Sequence, residues 1–102
     1  MVYHWLLVNN IRNNSNPLLL QWGMVAASNK SIAVQNTEDL YQNYPVAFRK
    51  VLSVSCTSIY AGQLCTNLDY KGKLTQVGCH CRNVKSSGTL SNIGFVWISL
   101  GY

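Results

Sequence analysis

The apolar residues of this 102-residue chain come in short runs, and turn-forming residues interrupt them about every ten positions. Val, Ile, Thr, Tyr, Phe and Trp fill those runs, side chains that suit a pleated, half-buried surface. Val51 to Tyr60 shows the pattern best. Leu52, Val54, Cys56, Ser58 and Tyr60 fall on one face, and Val51, Ser53, Ser55, Thr57 and Ile59 on the other. Tyr3 to Val8, Leu18 to Ala27, Ser31 to Gln35, Lys73 to Val84 and Ile93 to Leu100 read as further strands, with Gly23 as a bulge. Asn29-Lys30 is a turn signal. Thr37 to Tyr44 reads as loop with at most one helical turn, because Thr37-x-x-Leu40 lacks the capping-box acid and Pro45 stops a helix. Asn9 to Pro17, Ala61 to Gly72 and Asn83 to Asn92 read as irregular. About six short strands at this spacing predict an all-β chain, a small antiparallel sandwich or barrel.

The surface of such a fold is charge-poor here. Charged residues make up 11% of the chain, so Asn, Ser, Thr and Gln supply its polarity. That suits a hydrogen-bonding, lectin-like surface or one covered by partner chains. The net charge of +5 reflects a scarcity of acids rather than a basic cluster. Arg49-Lys50 and Lys71-Gly72-Lys73 are the densest basic pieces, too little for a nucleic-acid-binding stripe. Met1 to Val8 is apolar but lacks the basic start and small-residue cleavage site of a signal peptide. No run approaches the ~18 apolar residues that span a bilayer, so membrane insertion is not expected. Catalysis finds little footing. Glu38 and Asp39 are adjacent and diverge, Asp69 stands apart, and His4 and His80 have no nucleophile nearby in sequence. The chain is expected to be no enzyme and to need no cofactor.

Three segments carry a family resemblance. Asn92-Ile-Gly-Phe-Val-Trp-Ile-Ser-Leu-Gly-Tyr102 resembles the closing strand of phage tail-fibre C-terminal domains. Leu20-Gln21-Trp22-Gly23 is similar to the Gln-Trp-Gly that opens them, and Tyr44-Pro45-Val46-Ala47-Phe48 to their Tyr/Phe-Pro-x-x-Phe segment. The same order of features is similar to H-type lectins, which are six-stranded antiparallel sandwiches. The resemblance implies a homotrimeric β-sandwich over residues 18–102, preceded by a strand and shaft linker over residues 1–17. It also implies a place in the virion, at the distal end of a tail fibre folded in the host cytoplasm. Its partner would be a bacterial surface glycan such as lipopolysaccharide. A structural trimerisation cap and a stand-alone secreted lectin are the alternatives. Phe95, Trp97 and Ile98 read as core or interface, not as ligand-binding residues.

Sugar sites on such modules combine an aromatic face with amides and carboxylates. The Tyr60 to Lys73 stretch offers that set in Tyr60, Gln63, Asn67, Asp69, Tyr70 and Lys71. The Asn83 to Asn92 turn, with Arg82 and Lys85, is the second candidate, suited to an anionic glycan. Cys56, Cys65, Cys79 and Cys81 lie outside the family's pattern. Folding in a reducing cytosol makes free buried thiols the expectation and no metal site is assigned. A disulfide from Cys79 or Cys81 to Cys56 or Cys65 and a four-thiolate zinc site stay open, although no Cys-x-x-Cys knuckle is present. In strand geometry His80 points away from its cysteine neighbours, free to meet its copies on a threefold axis.

Overall fold

A computed structural model describes residues 17–27, 30–68 and 73–102, together with the backbone of residues 2–8. The strands are β1 (Val2–Val8), β2 (Leu18–Ala27), β3 (Thr37–Asn43), β4 (Val51–Ser58), β5 (Gln63–Asn67), β6 (Gln76–Asn83) and β7 (Ile93–Gly101). They form a four-stranded sheet in the order β1-β2-β7-β4 and a three-stranded sheet in the order β3-β6-β5. Every pairing is antiparallel, and no helix occurs among the described residues. The chain is the small all-β sandwich that its patterning predicts.

Strand β7 sits inside the larger sheet, paired with β2 on one side and β4 on the other. Its alternation explains why it belongs there. Ile93, Phe95, Trp97 and Ser99 are buried, while Val96 and Ile98 face outward. The buried set meets Leu40 of β3 and Val77, Cys79 and Cys81 of β6 to make one core between the sheets. Tyr44 packs edge-on against both Trp97 and Phe48, with ring centroids 5.4 and 4.7 Å away. Hydrogen bonds also cross the sandwich at this point. Trp97 Nε1 donates to Gln42 Oε1 at 2.6 Å, and the Tyr44 and Ser99 hydroxyls share a bond of 2.9 Å.

Glycine closes both ends of β7. A Cβ on Gly94 would run into the Val25 carbonyl oxygen, and one on Gly101 into that of Lys50. Beyond Gly101, Tyr102 exchanges backbone hydrogen bonds with Lys50, so the Lys50 and Tyr102 backbones zip together. Side-chain amides fix other loops. Gln21 donates to the Val46 carbonyl at 2.7 Å and accepts from the Val46 amide at 3.0 Å, docking the Pro45 segment onto β2. Asn83 donates to Ile32 and Gly88 carbonyls and accepts from the Lys85 amide.

Several local expectations change. Thr37–Asn43 is a strand: Leu40, Gln42 and Tyr44 point inward, and the polar Gln42 hid the alternation. Gln63–Asn67, read as irregular, is a short strand at the edge of the smaller sheet. Ser31 to Gln35 forms only an isolated bridge from Ile32 to Leu90. Gly23 is not a bulge, since the ladders on both sides of it run without a break. The register shift lies instead between Val51 and Ser53, and it reverses the phase of β4 at its start. Val51 therefore points inward and Leu52 outward, opposite to the expected face for Leu52. The Asn9 to Asn16 part of the first loop and Asn29 lie outside the described residues.

Trp97→Ala removes a ring that is only 1% exposed and strips Gln42 of its partner, so unfolding free energy should fall by about 3–5 kcal/mol in denaturant titrations. Burial raises the Tyr44 hydroxyl pKa above its usual 10.0, with the Ser99 hydrogen bond opposing. The protonated form is thus favoured by folding, and its contribution is complete below pH 10 and lost as pH climbs through the raised value. Tyr44→Phe should flatten the alkaline limb of the stability profile above that pH, measured by thermal melts.

Candidate functional site

The outer face of the three-stranded sheet gathers an aromatic ring and several polar groups. Period-2 geometry sends Thr37, Asp39, Tyr41 and Asn43 of β3 outward, beside Gln76, Gly78, His80 and Arg82 of β6. Tyr41 lies opposite Gly78 and is 46% exposed. A Cβ at Gly78 would stand 2.8 Å from Tyr41 Cε1 and 3.2 Å from Leu68 Cβ, so the ring rests on backbone that glycine leaves bare. Next along the strands, Asp39 Oδ1 is 2.5 Å from His80 Nδ1. Arg82 donates to Gln35 Oε1 at 2.8 Å. An exposed ring flanked by a carboxylate, an imidazole, a guanidinium and amides can stack on the apolar face of a sugar while bonding its hydroxyls.

The residues singled out from sequence have different fates. Tyr60 is half-buried in the turn after β4, where the Ser58 hydroxyl donates to its carbonyl and accepts from its amide. Gln63 is buried, its amide clamped on Gly94 by a 2.6 Å bond to the carbonyl and a 3.2 Å bond from the N–H. Asn67 is exposed, but its side chain donates to the Val54 carbonyl across to the other sheet. Asp69, Tyr70 and Lys71 lie outside the described residues. The chain reaches them from Leu68, whose N–H bonds the Gly78 carbonyl at 3.1 Å beneath Tyr41. Of the second candidate turn, Arg82 faces outward beside His80, and Lys85 is half-buried. Asp39, Tyr41 and His80 do not stand out as a set in the sequence, because Thr37 to Tyr44 reads there as loop. The outward series Thr37, Asp39, Tyr41, Asn43 was the available signal.

The cysteines converge inside the sandwich. Cys65 of β5 is directly opposite Cys81 of β6, and Cys79 shares the inward face of β6 with Cys81. Their sulfurs lie within 4.8 Å of one another. Cys56 approaches from β4 of the facing sheet and bears on the Cys79 thiol. All four are free thiols. Hydrogen bonds from Cys79 and then Cys81 lower the Cys65 pKa far below the usual thiol range, with Gln63 and Ser58 adding to them. The Cys79 thiol is pushed up by its bonds with Cys56, Cys65 and Cys81, and the Cys81 thiol is pushed up chiefly by Cys65.

The outer face of the four-stranded sheet has the opposite character. Leu20 pairs with Leu100, Trp22 with Ile98 and Met24 with Val96 across β2 and β7. Met24, Val96 and Ile98 are exposed there, Ile98 by 55%. Ser53, Ser55 and Thr57 of β4 border this stripe.

A stability test addresses Gln63. Its buried amide satisfies the Gly94 backbone and the Cys65 and Cys81 sulfurs, so Gln63→Ala should lower unfolding free energy by about 1–3 kcal/mol. An unchanged denaturation midpoint would contradict that structural role.

No family model matches the chain, and no curated protein matches it. Among solved structures it is similar to the P. aeruginosa R1 pyocin fibre, in a structure comprising C-terminal residues of that fibre, with a TM-score of 0.66 and 16% sequence identity. The match covers 100% of this chain and 28% of the fibre chain. The chain thus has the fold of a segment of a pyocin fibre.

Proposed function

We propose that the chain is the receptor-binding tip of a phage-type tail fibre, attaching to a bacterial surface glycan such as lipopolysaccharide during host adsorption. The observation that carries this reading is the match of the whole chain to part of a pyocin fibre. The ordered segments around Gln21-Trp22-Gly23, Tyr44-Pro45 and Gly101-Tyr102 support it independently, as does their similarity to H-type lectins. In this reading the module binds without catalysing, works as a homotrimer at the distal end of the fibre, and folds in the host cytoplasm.

The two outer faces divide the labour. The Leu20, Trp22, Met24, Val96, Ile98 and Leu100 stripe is the natural contact between copies, since a contiguous apolar surface marks an association site. The glycan falls to the Tyr41 face, with Asp39, His80 and Arg82 supplying hydrogen bonds; Asp69, Tyr70 and Lys71, which follow Leu68 in sequence, stay candidates beside them. Asn67 sits beside Leu68 at one end of β5, and Tyr60 precedes its other end.

Binding of purified protein to intact bacteria, and to mutants with truncated lipopolysaccharide, tests the function. Tyr41→Ala removes an exposed ring and should change stability by roughly half a kcal/mol or less, yet abolish cell binding. Should Tyr41→Ala bind as well as the parent, the site is elsewhere. A trimerisation cap is favoured by the apolar stripe alone, and it would assemble normally while binding no cell and no glycan on an array. Light scattering should report about three chain masses, and Ile98→Glu should reduce the species to monomer. A parent protein that is monomeric at micromolar concentration would remove the trimer from the proposal.

A further inference from the structure

The cysteine cluster has the dimensions of a metal site. The Cys79 and Cys81 sulfurs are 3.7 Å apart, and those of Cys65 and Cys81 are 3.9 Å apart. Zinc–sulfur bonds of about 2.3 Å in a tetrahedron place neighbouring sulfurs about 3.8 Å apart. Two antiparallel strands and one shared face produce this spacing. Cys65 and Cys81 are register partners, and Cys79 follows two positions along β6.

The surroundings suit a thiolate centre. Gln63 Nε2 donates to Cys65 Sγ at 3.0 Å and to Cys81 Sγ at 3.4 Å, and the clamp on Gly94 fixes its orientation. An N–H held toward two sulfurs is the kind of outer-shell group that orients and stabilises thiolate ligands. Cys79 and Cys81 are fully buried, whereas Cys65 is half-buried on an edge strand and gives an ion a way in. Cys56 Sγ, 3.9 Å from the Gly78 carbonyl, stands on the facing sheet beside the Cys79 thiol, outside the three-sulfur group, and would complete the coordination by turning toward it. All-sulfur ligation selects zinc or another soft cation over calcium or magnesium.

We propose that Cys65, Cys79 and Cys81 bind a zinc ion between the two sheets, with Cys56 completing the coordination. Each thiol gives up its proton to solvent as it ligates, so zinc uptake releases protons and is weakened by acid. The ion would tie β5 and β6 to β4 and act as a cross-link inside a small core.

The test uses the intact chain, expressed with zinc and purified under reducing conditions without chelator. Elemental analysis should give one zinc per chain, and chelation should lower the melting temperature. Cobalt(II) offered to the apo chain should produce the near-ultraviolet charge-transfer absorption of thiolate ligation. Cys65→Ser, at the half-buried position, should retain the fold by circular dichroism and weaken zinc at least tenfold in competition with a chromophoric chelator. The proposal is overturned if the reduced chain titrates four thiols and takes up neither zinc nor cobalt. It is equally overturned if Cys65→Ser binds both ions as the parent does, or if the reduced-purified chain carries a Cys65–Cys81 disulfide by mass. None of these readouts depends on receptor binding.

Discussion

Buried amides constrain this sandwich more than any other group. Gln21, Gln42, Gln63 and Asn83 all lie in the interior, where an unpartnered amide costs about 1–3 kcal/mol. Three of them solve the problem the same way, by bonding the backbone of another segment. Gln21 holds Val46, Gln63 holds Gly94, and Asn83 holds Ile32, Gly88 and Lys85. Each bond nets only about 1 kcal/mol, but together they dictate where the connections between sheets must lie. Gln42 is the exception. Its oxygen accepts from Trp97, while its Nε2 is left without a partner. The Trp97 indole is worth that cost because it anchors the centre of the core.

The strands that were legible in sequence are those with a clean apolar phase. Leu18–Ala27 and Ile93–Gly101 alternate strongly, and both ends of each were visible within a residue. The cysteine spacing also carried its meaning, since Cys79 and Cys81 share an inward face as period-2 geometry demands. What stayed hidden was polar by necessity. Gln42 and Gln63 face inward in β3 and β5, and an inward amide looks like an outward one until its partner is known. The Val51/Ser53 register shift hid Leu52 for a different reason, because an extra residue reverses the phase without changing composition. The Asp39, Tyr41 and His80 face depends on pairing between strands some forty positions apart, which no local pattern contains.

The two sheets also differ in what they can tolerate on their outsides. The larger one offers aliphatic and aromatic side chains in register, a surface that favours contact with something equally apolar. The smaller one pairs its polar side chains locally, Asp39 with His80 and Arg82 with Gln35, and leaves the Tyr41 ring on view. Between them lies a layer with sulfur in it, where the Gln63 clamp links the thiols to β7. The same residue therefore connects the interior chemistry to the strand on which the larger sheet is built.

The glycines at the two ends of β7 set the terms on which a sequence of this kind can drift. At Gly94 and Gly101 the space for a side chain is already taken by another segment's carbonyl, so no substitution can be absorbed by repacking neighbours. Between them, Val96 and Ile98 face outward and can change whenever the surface they meet changes with them. Divergence in such a strand is therefore periodic: fixed at its ends, conservative at inward positions and fast at outward ones. Two chains can agree at few positions, as this one and the pyocin fibre do at 16% identity, and still be held to one backbone.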